Sequence, residues 1–410
     1  MFVDAKTSRD LELFQTQDGS PGVFQSLDLT RTQGGSRALR ARFESPMQEL
    51  ELIQQVHDGV RFLRDQRVEF QVDEDLIKEV ESYIQSSWDV GSRAMGFRFM
   101  IQASLVSLQY KDLFQHAKEG VLATQRLISQ LLPYLKGLME LDPPSEVRRP
   151  VENLLALIAR LRLDDGGGSR SPWKVFSADR YLREDRKADF QRFFSLLFDL
   201  DALCAMAEAL ESFGLVLPEV LESEEFVLEG EEVFHPFVEG PVSNPVAISG
   251  GETLVFLTGP NMAGKTTYLK GVAVAAYLTH VGMGVPARRF RISILDAIYS
   301  SLTPEENLRA GLSFFMAEVR RVREVAEGLA SGQRALVVFD EVFRGTNVSD
   351  ALDASRLVIR GFARSRRSGC SAARTCSSWA PAWSTTLPKR PRLPCAAPSS
   401  RAAPKRAPST

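Results

Sequence analysis

Apolar side chains recur every three or four positions over much of the first half of the chain. This spacing holds over residues 53–63 and again over 154–161, and it places the apolar side chains on one face of a helix. Residues 97–141 are densely apolar, and residues 188–213 also have a helical pattern. We therefore predict a mainly helical domain over residues 1–213.

One segment of this domain has the sequence of a turn followed by a helix. Asp28 and Thr30 precede the pair Gly34 and Gly35. Side chains of Asp and Thr accept hydrogen bonds from nearby backbone N–H groups, so they favour turns and helix starts. We expect turn and capping contacts here.

The second half of the chain contains compact apolar runs of a different kind. Residues 254–258 and 335–339 are rich in Val, Leu, Phe and Ala, which is typical of buried strands. The small and apolar residues of 266–278 are compatible with a helix that follows the first strand. Strand and helix in this order predict an α/β domain over residues 214–362.

The first of these strands runs into a phosphate-loop pattern, G-x-x-x-x-G-K-[ST], between Gly259 and Thr266. Glycine permits backbone angles that turn successive N–H groups toward phosphate oxygens. In this pattern Lys265 reaches the β- and γ-phosphates, and the Thr266 hydroxyl binds Mg²⁺. The alternative is a glycine-rich turn that binds nothing. The candidate nucleotide-binding residues are Gly259, Pro260, Asn261, Met262, Ala263, Gly264, Lys265, Thr266 and Thr267.

The second apolar strand ends in the acidic pair Asp340 and Glu341. In a phosphate-loop ATPase, an acid at this place holds Mg²⁺, which is the role we predict for Asp340 beside Thr266. We predict that Glu341 orients or deprotonates the attacking water. By itself such a pair is more often a solvated loop or a helix cap, but with the phosphate loop it indicates an ATPase.

Four segments resemble motifs of the MutS family of DNA mismatch-repair ATPases. Thr258–Thr267 is similar to the family's phosphate loop, and Asp340–Thr346 to its second acidic motif. Ser313–Glu318 resembles the Ser-Thr-Phe-Met-x-Glu segment, although Phe314 replaces the usual Thr, and Phe234–Val238 resembles a His-Pro element. The resemblance implies a helical core domain joined to an α/β P-loop NTPase domain of the ABC-ATPase type.

The resemblance also implies roles for two residues outside the phosphate loop. In the family, the Ser matched by Ser313 reaches across a dimer to the partner's nucleotide, so Ser313 is expected to act in trans. His235 is a candidate nucleotide-binding residue, although it could equally be a turn residue. The implied cofactors are ATP and Mg²⁺. The implied partners are DNA and, if the C-terminus is intact, a second copy of the chain.

Composition limits the alternatives. No apolar run approaches the 18 residues that suggest a membrane span, and the N-terminus lacks a signal-peptide layout. Four Cys without paired spacing make a disulfide framework an unlikely reading, so a reducing cytoplasm is the expected location. No His pairs with Cys at zinc spacing.

Charge is distributed unevenly along the chain. Residues 363–410 carry ten Lys and Arg and no Asp or Glu, so residues 1–362 carry 12 more acidic than basic side chains. An acidic body is a poor non-specific DNA binder. Asp4–Phe14 and Leu27–Arg40 resemble the start of the family's core domain, so we expect the chain to lack the mismatch-wedging module that precedes it in the family. We therefore expect the protein to act on DNA, without specifying the DNA structure, and we do not transfer mismatch recognition from the family to this chain.

Two other classes of function remain open. A different ABC-type or chromosome-organising ATPase would share the loop and the acidic strand, but Ser313–Glu318 and the Arg-Gly-Thr after Phe343 favour MutS. A nucleotide-binding adaptor or a decayed, truncated product with little turnover is the non-enzymatic alternative.

Residues 363–410 depart most from the resemblance. They contain seven Pro and no apolar periodicity, which is the composition of a disordered basic segment. A family member should instead enter another buried strand that ends in a Ser/Thr-His switch. A shifted reading frame across 370–379 can encode such a strand, its His and a following helix. Our hypothesis is therefore that the chain is a frameshifted product that lacks its switch His, final strands and dimer-forming end.

Sequencing the gene across the codons for residues 363–380 tests the frameshift. We expect an inserted or deleted base whose correction restores the strand and the switch His. A confirmed intact frame would leave the basic tail as a genuine part of the protein.

Overall fold

The computed structural model describes residues 1–16, 19–87, 97–161, 171–238, 240–249, 254–260, 263–302, 314–340, 343, 348–362 and 369–374. The strands among them are β1 (Phe2–Val3), β2 (Glu219–Leu221), β3 (Leu228–Val233), β4 (Asn244–Ile248), β5 (Leu254–Thr258), β6 (Arg289–Ser293), β7 (Ala297–Ser301), β8 (Ala335–Asp340) and β9 (Gly369–Arg374). The helices are α1 (Ala5–Asp10), α2 (Val23–Leu27), α3 (Gln33–Glu44), α4 (Leu50–Asp65), α5 (Glu74–Gln85), α6 (Phe97–Gln109), α7 (Lys111–Glu140), α8 (Ser145–Arg160), α9 (Pro172–Arg180), α10 (Lys187–Ser212), α11 (Lys265–Val281), α12 (Phe314–Ala330) and α13 (Val348–Phe362).

The helices predicted from apolar spacing are present. α4, α8 and α10 cover the three predicted helical stretches, and α6 and α7 cover the dense apolar region between them. α7 continues through Pro133. Among the described residues, no helix combines the length and the apolar character needed to span a membrane.

The chain divides into two compact units that do not follow the predicted boundary at residue 213. The helical unit comprises Asp28–Glu44 and Gln55–Glu208, and the sheet unit comprises Met1–Leu27, Ser45–Gln54 and Ala209–Thr410. The predicted first domain therefore loses its N-terminal segment to the sheet unit. The physical reason is backbone pairing, because Phe2 and Val3 of β1 align with β7.

A five-stranded parallel sheet organises the sheet unit, with strand order β1-β7-β8-β9-β5. β7 and β8 are buried along nearly their whole length, as expected for parallel strands covered on both faces. One face of β7 and β8 packs against α12 and α13 through a core that includes Tyr299, Val337 and Phe339. A second sheet has the order β2-β6-β3-β4.

β9 corrects the prediction for residues 363–410. Gly369–Arg374 lies within the predicted tail, yet it forms a strand between β8 and β5. The expected disorder is wrong for these six residues, because hydrogen-bonding strands on both sides outweigh a local sequence with little apolar character. Residues 375–410 lie outside the described part of the chain.

A buried arginine holds the N-terminal segment on the sheet. Arg321 of α12 pairs with Asp4 at 2.6 Å and donates to the Ser300 carbonyl and the Thr7 hydroxyl, both at 2.9 Å. Asp10 accepts from the Ser300 hydroxyl at 2.7 Å. Each of these buried polar groups therefore has a partner, as burial requires.

A buried carboxylate organises the start of α3 in the helical unit. Asp201 accepts from the Thr32 hydroxyl at 2.7 Å and from the Thr32 N–H at 2.9 Å. A Cβ on Gly35 would lie 2.0 Å from Asp201 Oδ2, which explains the glycine. Asp28 accepts from the Thr30 hydroxyl at 2.6 Å, so the predicted turn is confirmed, but Thr32 caps the helix by accepting from the Gly35 N–H at 2.9 Å.

Two buried histidines make stability depend on pH. In the sheet unit, His280 Nδ1 donates to the Met47 carbonyl and Nε2 accepts from the Leu295 N–H. In the helical unit, His57 Nε2 is buried without a hydrogen-bond partner among the described residues. Burial lowers the pKa of each histidine to about 4, so both are neutral in the folded protein at neutral pH.

We expect acidification to destabilise each unit. Because the folded-state pKa is below the unfolded value of about 6.5, the unfolded chain binds the proton first, and stability present above pH 6.5 is lost toward pH 4. The expected loss is about 1.4 kcal/mol per pH unit for each histidine within that window. Urea unfolding between pH 7.5 and 5.5 measures it, and His57→Leu should reduce the slope of the helical unit alone. An unchanged slope in that variant would contradict the burial argument.

Candidate functional site

The phosphate-loop pattern lies between β5 and α11, as predicted. α11 begins at Lys265, directly after Gly264, which has φ +80°. A side chain at Gly264 would find open space, so the requirement for glycine is torsional. Gly259 is not among the glycines with positive φ, so of the two glycines in the pattern only Gly264 uses a left-handed conformation.

The lysine of the loop is folded back onto the loop itself. Lys265 Nζ donates to the carbonyl oxygens of Pro260 at 2.7 Å and Gly259 at 3.1 Å. The side chain is only 5% exposed. The loop backbone therefore satisfies a buried cation at the N-terminus of α11, where the helix dipole also favours negative charge. An anion bound in this loop would replace the two carbonyls as the partner of Lys265.

The phosphate loop and the acidic strand meet at the carboxyl edge of the parallel sheet. Thr266 Oγ1 in the first turn of α11 donates to Asp340 Oδ2 at the end of β8, at 2.5 Å. β9 lies between the two parent strands, and both Leu257 of β5 and Asp340 align with Ala373. The two strands thus end level with each other, which brings a hydroxyl and a carboxylate from distant parts of the sequence into contact.

This pair fits the chemistry of a magnesium site. Mg²⁺ prefers oxygen ligands and usually keeps one or two protein ligands together with waters and substrate phosphates. Thr266 and Asp340 supply two such oxygens beside the phosphate loop. Within the described residues no group of three or more His, Cys, Asp and Glu could hold a metal on its own. Two protein oxygens leave the other positions of an octahedral Mg²⁺ to waters and phosphate oxygens.

His235 lies beside α11, away from the loop contacts. A Cβ on Gly271 would lie 3.2 Å from the Phe234 carbonyl oxygen, so the backbone before His235 packs closely on that helix. Gly271 is six residues beyond Lys265, which corresponds to about 9 Å along the axis. Burial lowers the pKa of His235, and the positive charge of the nearby Lys270 lowers it further. In the described part of the chain, His235 Nδ1 is buried without a hydrogen-bond partner. Among the described residues, no hydrogen bond, ion pair or ring contact joins His235 to the phosphate loop.

Several predicted site residues lie outside the described part of the chain: Asn261, Met262, Ser313 and Glu341. Ala263 is exposed, and Thr267 is half-buried in the first turn of α11. The structure therefore brings together Lys265, Thr266 and Asp340.

Phe343 is a residue that sequence reasoning did not single out. It has φ +66°, a left-handed conformation that is an outlier for a bulky side chain. It is buried and packs against Phe315 of α12, with ring centroids 5.5 Å apart. The segment after Asp340 and the segment after Ser313 therefore touch through these rings. The sequence offers no signal for this conformation, since a single Phe carries no record of its torsion.

Two substitutions of Phe343 separate packing from backbone strain. Phe343→Gly removes about 1–2 kcal/mol of left-handed strain but loses about 3–5 kcal/mol of aromatic burial. We therefore expect a net loss of about 2 kcal/mol in the free energy of unfolding, measured by urea denaturation. Phe343→Leu keeps an apolar side chain and should lose less. A Gly variant as stable as the parent would show that the ring contributes no more packing energy than the strain that glycine relieves.

Comparison with known sequences gives matches over most of the chain. The profile of MutS domain III matches residues 6–207, and the profile of MutS domain V matches residues 255–373. The second match includes β8 and all but one residue of each of β5 and β9. Together the two profiles cover well over half of the chain.

Individual relatives give the same result at moderate identity. DNA mismatch repair protein MutS of Clostridium botulinum (strain Hall) is 32% identical over 205 residues, covering 48% of this chain and 22% of that protein. DNA mismatch repair protein MutS of Oleidesulfovibrio alaskensis is 29% identical over 301 residues, covering 72% of this chain and 30% of that protein. The chain thus spans less than a third of the length of either relative.

Proposed function

The chain belongs to the MutS family, and we propose that it is a Mg²⁺-dependent ATPase that acts on DNA. The observation that carries the proposal is the contact of Thr266 with Asp340 at 2.5 Å, next to a buried Lys265 on the phosphate loop. These three side chains have the charges and hydrogen-bonding groups that a nucleoside triphosphate with its metal requires. We accordingly propose that the sheet unit is a P-loop NTPase domain.

We propose that Lys265 exchanges its partners when nucleotide binds. Its ammonium group would leave the carbonyls of Gly259 and Pro260 and donate to phosphate oxygens. The backbone N–H groups around Gly264 and the N-terminus of α11 would add further donors to the same anion. Ala263, Thr267 and the undescribed Asn261 and Met262 would complete the loop.

Thr266 and Asp340 would hold the metal through their side-chain oxygens. Bound Mg²⁺ neutralises phosphate charge, and ATP supplies the phosphoryl group that is transferred to water. The Thr266 hydroxyl donates its proton to Asp340, so its oxygen lone pairs remain available to a metal, and small rotations of the two side chains would aim their oxygens at one ion. Both side chains already lie within reach of each other, so the rearrangement is local.

Hydrolysis would depend on two further residues, Glu341 and Ser313. We propose that Glu341, next to Asp340, orients or deprotonates the attacking water. We further propose that Ser313 acts in trans on the nucleotide of a second copy, which makes the active form a homodimer. The contact of Phe343 with Phe315 supports a link between these two segments, since each ring lies two residues from the proposed catalytic side chain.

The DNA substrate is proposed at the level of the family. The two relatives named above are mismatch repair proteins, and this chain matches less than a third of each. Recognition of mismatched base pairs is therefore not part of the proposal. If nucleotide binds the two states of a dimer with different affinity, DNA that favours one state will alter turnover.

ATP hydrolysis by the purified chain, with and without Mg²⁺, tests the proposal. Lys265→Ala should reduce ATP affinity and turnover by about 100-fold or more, and Glu341→Ala should retain binding while losing about 100-fold in turnover. Lys270→Ala is the matched control, because Lys270 lies on the same helix and pairs with Glu12 at 2.9 Å instead. Equal activity of the Lys265 and Lys270 variants would refute the phosphate-loop role.

The same assay tests the role of DNA. We expect branched, mismatched or plain duplex DNA to change the turnover rate, with at least one form acting more strongly than the others. Binding of ATP without turnover under every condition would instead indicate a nucleotide-binding protein. Turnover that no DNA form changes would favour a different ABC-type ATPase.

A further inference from the structure

Helix α6 in the helical unit is apolar on two opposite faces. One face carries Phe99, Ala103 and Val106, which pack in a small core formed with residues of α7 and α9. The opposite face carries large apolar side chains at successive helical turns. Their exposed fractions are Met100 41%, Ile101 48%, Leu105 60% and Leu108 71%, and Tyr110 directly after the helix is 54% exposed. We call these five residues the α6 face.

The polar residues of the helix do not give the α6 face a hydrophilic character. Ser104 Oγ donates to the Met100 carbonyl at 2.9 Å, and Ser107 Oγ donates to the Ser104 carbonyl at 2.8 Å. Both hydroxyl groups are thus satisfied within the helix. The sequence from Phe99 to Tyr110 contains no charged residue. Gln102 and Gln109 are the other polar residues of this stretch, and a helix with two large apolar faces is normally buried on both of them.

The exposed area is large for a surface that faces water. With about 200 Å² for a large side chain, the exposed fractions of the α6 face sum to roughly 500 Å². This reaches the size of the largest apolar patches on monomeric proteins. Two such faces in contact would bury roughly 1,000 Å², which is the lower limit for a specific interface.

We propose that the α6 face is a self-association surface that pairs with the α6 face of a second copy. A two-fold pair presents the same patch on both partners, so the patch must be self-complementary. An uncharged apolar stripe meets this requirement, because no charge opposes its own copy across the axis. DNA is a poor match for the α6 face, since the segment between Arg98 and Lys111 offers no cation for phosphate binding.

This contact goes beyond the proposed ATPase and does not depend on it. Pairing through Ser313 in trans would require nucleotide, whereas pairing through the α6 face requires only apolar burial. Two copies joined at α6 would stay associated while their nucleotide sites open and close.

Sedimentation equilibrium of the full chain without nucleotide tests the α6 contact. From about 1 to about 100 µM, the average mass should rise from 45.6 kDa toward twice that value. Leu105→Glu together with Leu108→Glu should raise the dissociation constant at least about tenfold, because apolar contacts are replaced by buried like charges. Leu357→Glu is the matched control, since Leu357 is 75% exposed on α13 and should leave association unchanged.

Two further measurements keep the outcomes separate. Circular dichroism should show the same helix content in all variants, and the milder Leu105→Ala should weaken association without adding charge. A parent protein that stays monomeric over the whole concentration range would overturn the proposal. The α6 face would then be covered by another segment or by another protein. Equal association of the double variant and the parent would also overturn it. ATP binding, measured on the same samples, reports on the proposed ATPase independently.

Discussion

Backbone pairing of β9 between β8 and β5 is the constraint on which the site depends. Parallel strands lie about 4.8 Å apart, so inserting one strand separates the acidic strand from the phosphate-loop strand by two such steps. The shared alignment of Asp340 and Leu257 with Ala373 keeps their carboxyl ends level. α11 then starts close enough for Thr266 to donate to Asp340. A shift of β9 along its neighbours would move these two side chains apart.

The same sheet depends on a chain segment far from it in sequence. β1 pairs with β7 and so extends the sheet by one strand. The buried guanidinium of Arg321 donates hydrogen bonds to Asp4, Thr7 and Ser300. A guanidinium taken out of water is tolerated only when such partners remain in place. Removing the N-terminal segment would therefore uncover the edge of β7 and leave Arg321 with fewer partners. This explains why residues 1–27 belong to the sheet unit.

Two local features of the site are held in place by their surroundings. Lys265 is buried because the loop carbonyls of Gly259 and Pro260 surround its ammonium group. Phe343 keeps a left-handed backbone because its ring is buried against Phe315. Strain of this kind persists where packing outweighs it and is frequent at functional sites. The α6 face is the opposite case, an apolar surface for which the described part of the chain supplies no cover.

The sequence by itself determined the local features of this protein. The helical spacing located α4, α8 and α10, and the glycine and lysine pattern located the loop before α11, because these signals depend on neighbouring residues. It also predicted Asp340 and Thr266 as residues that bind the same Mg²⁺, since each follows a predicted strand. The tertiary structure alone decided the strand at Gly369–Arg374, the place of β1 on β7 and the torsion of Phe343. Each of these depends on hydrogen bonds or packing with residues distant in sequence, and such contacts leave no periodic trace in the chain.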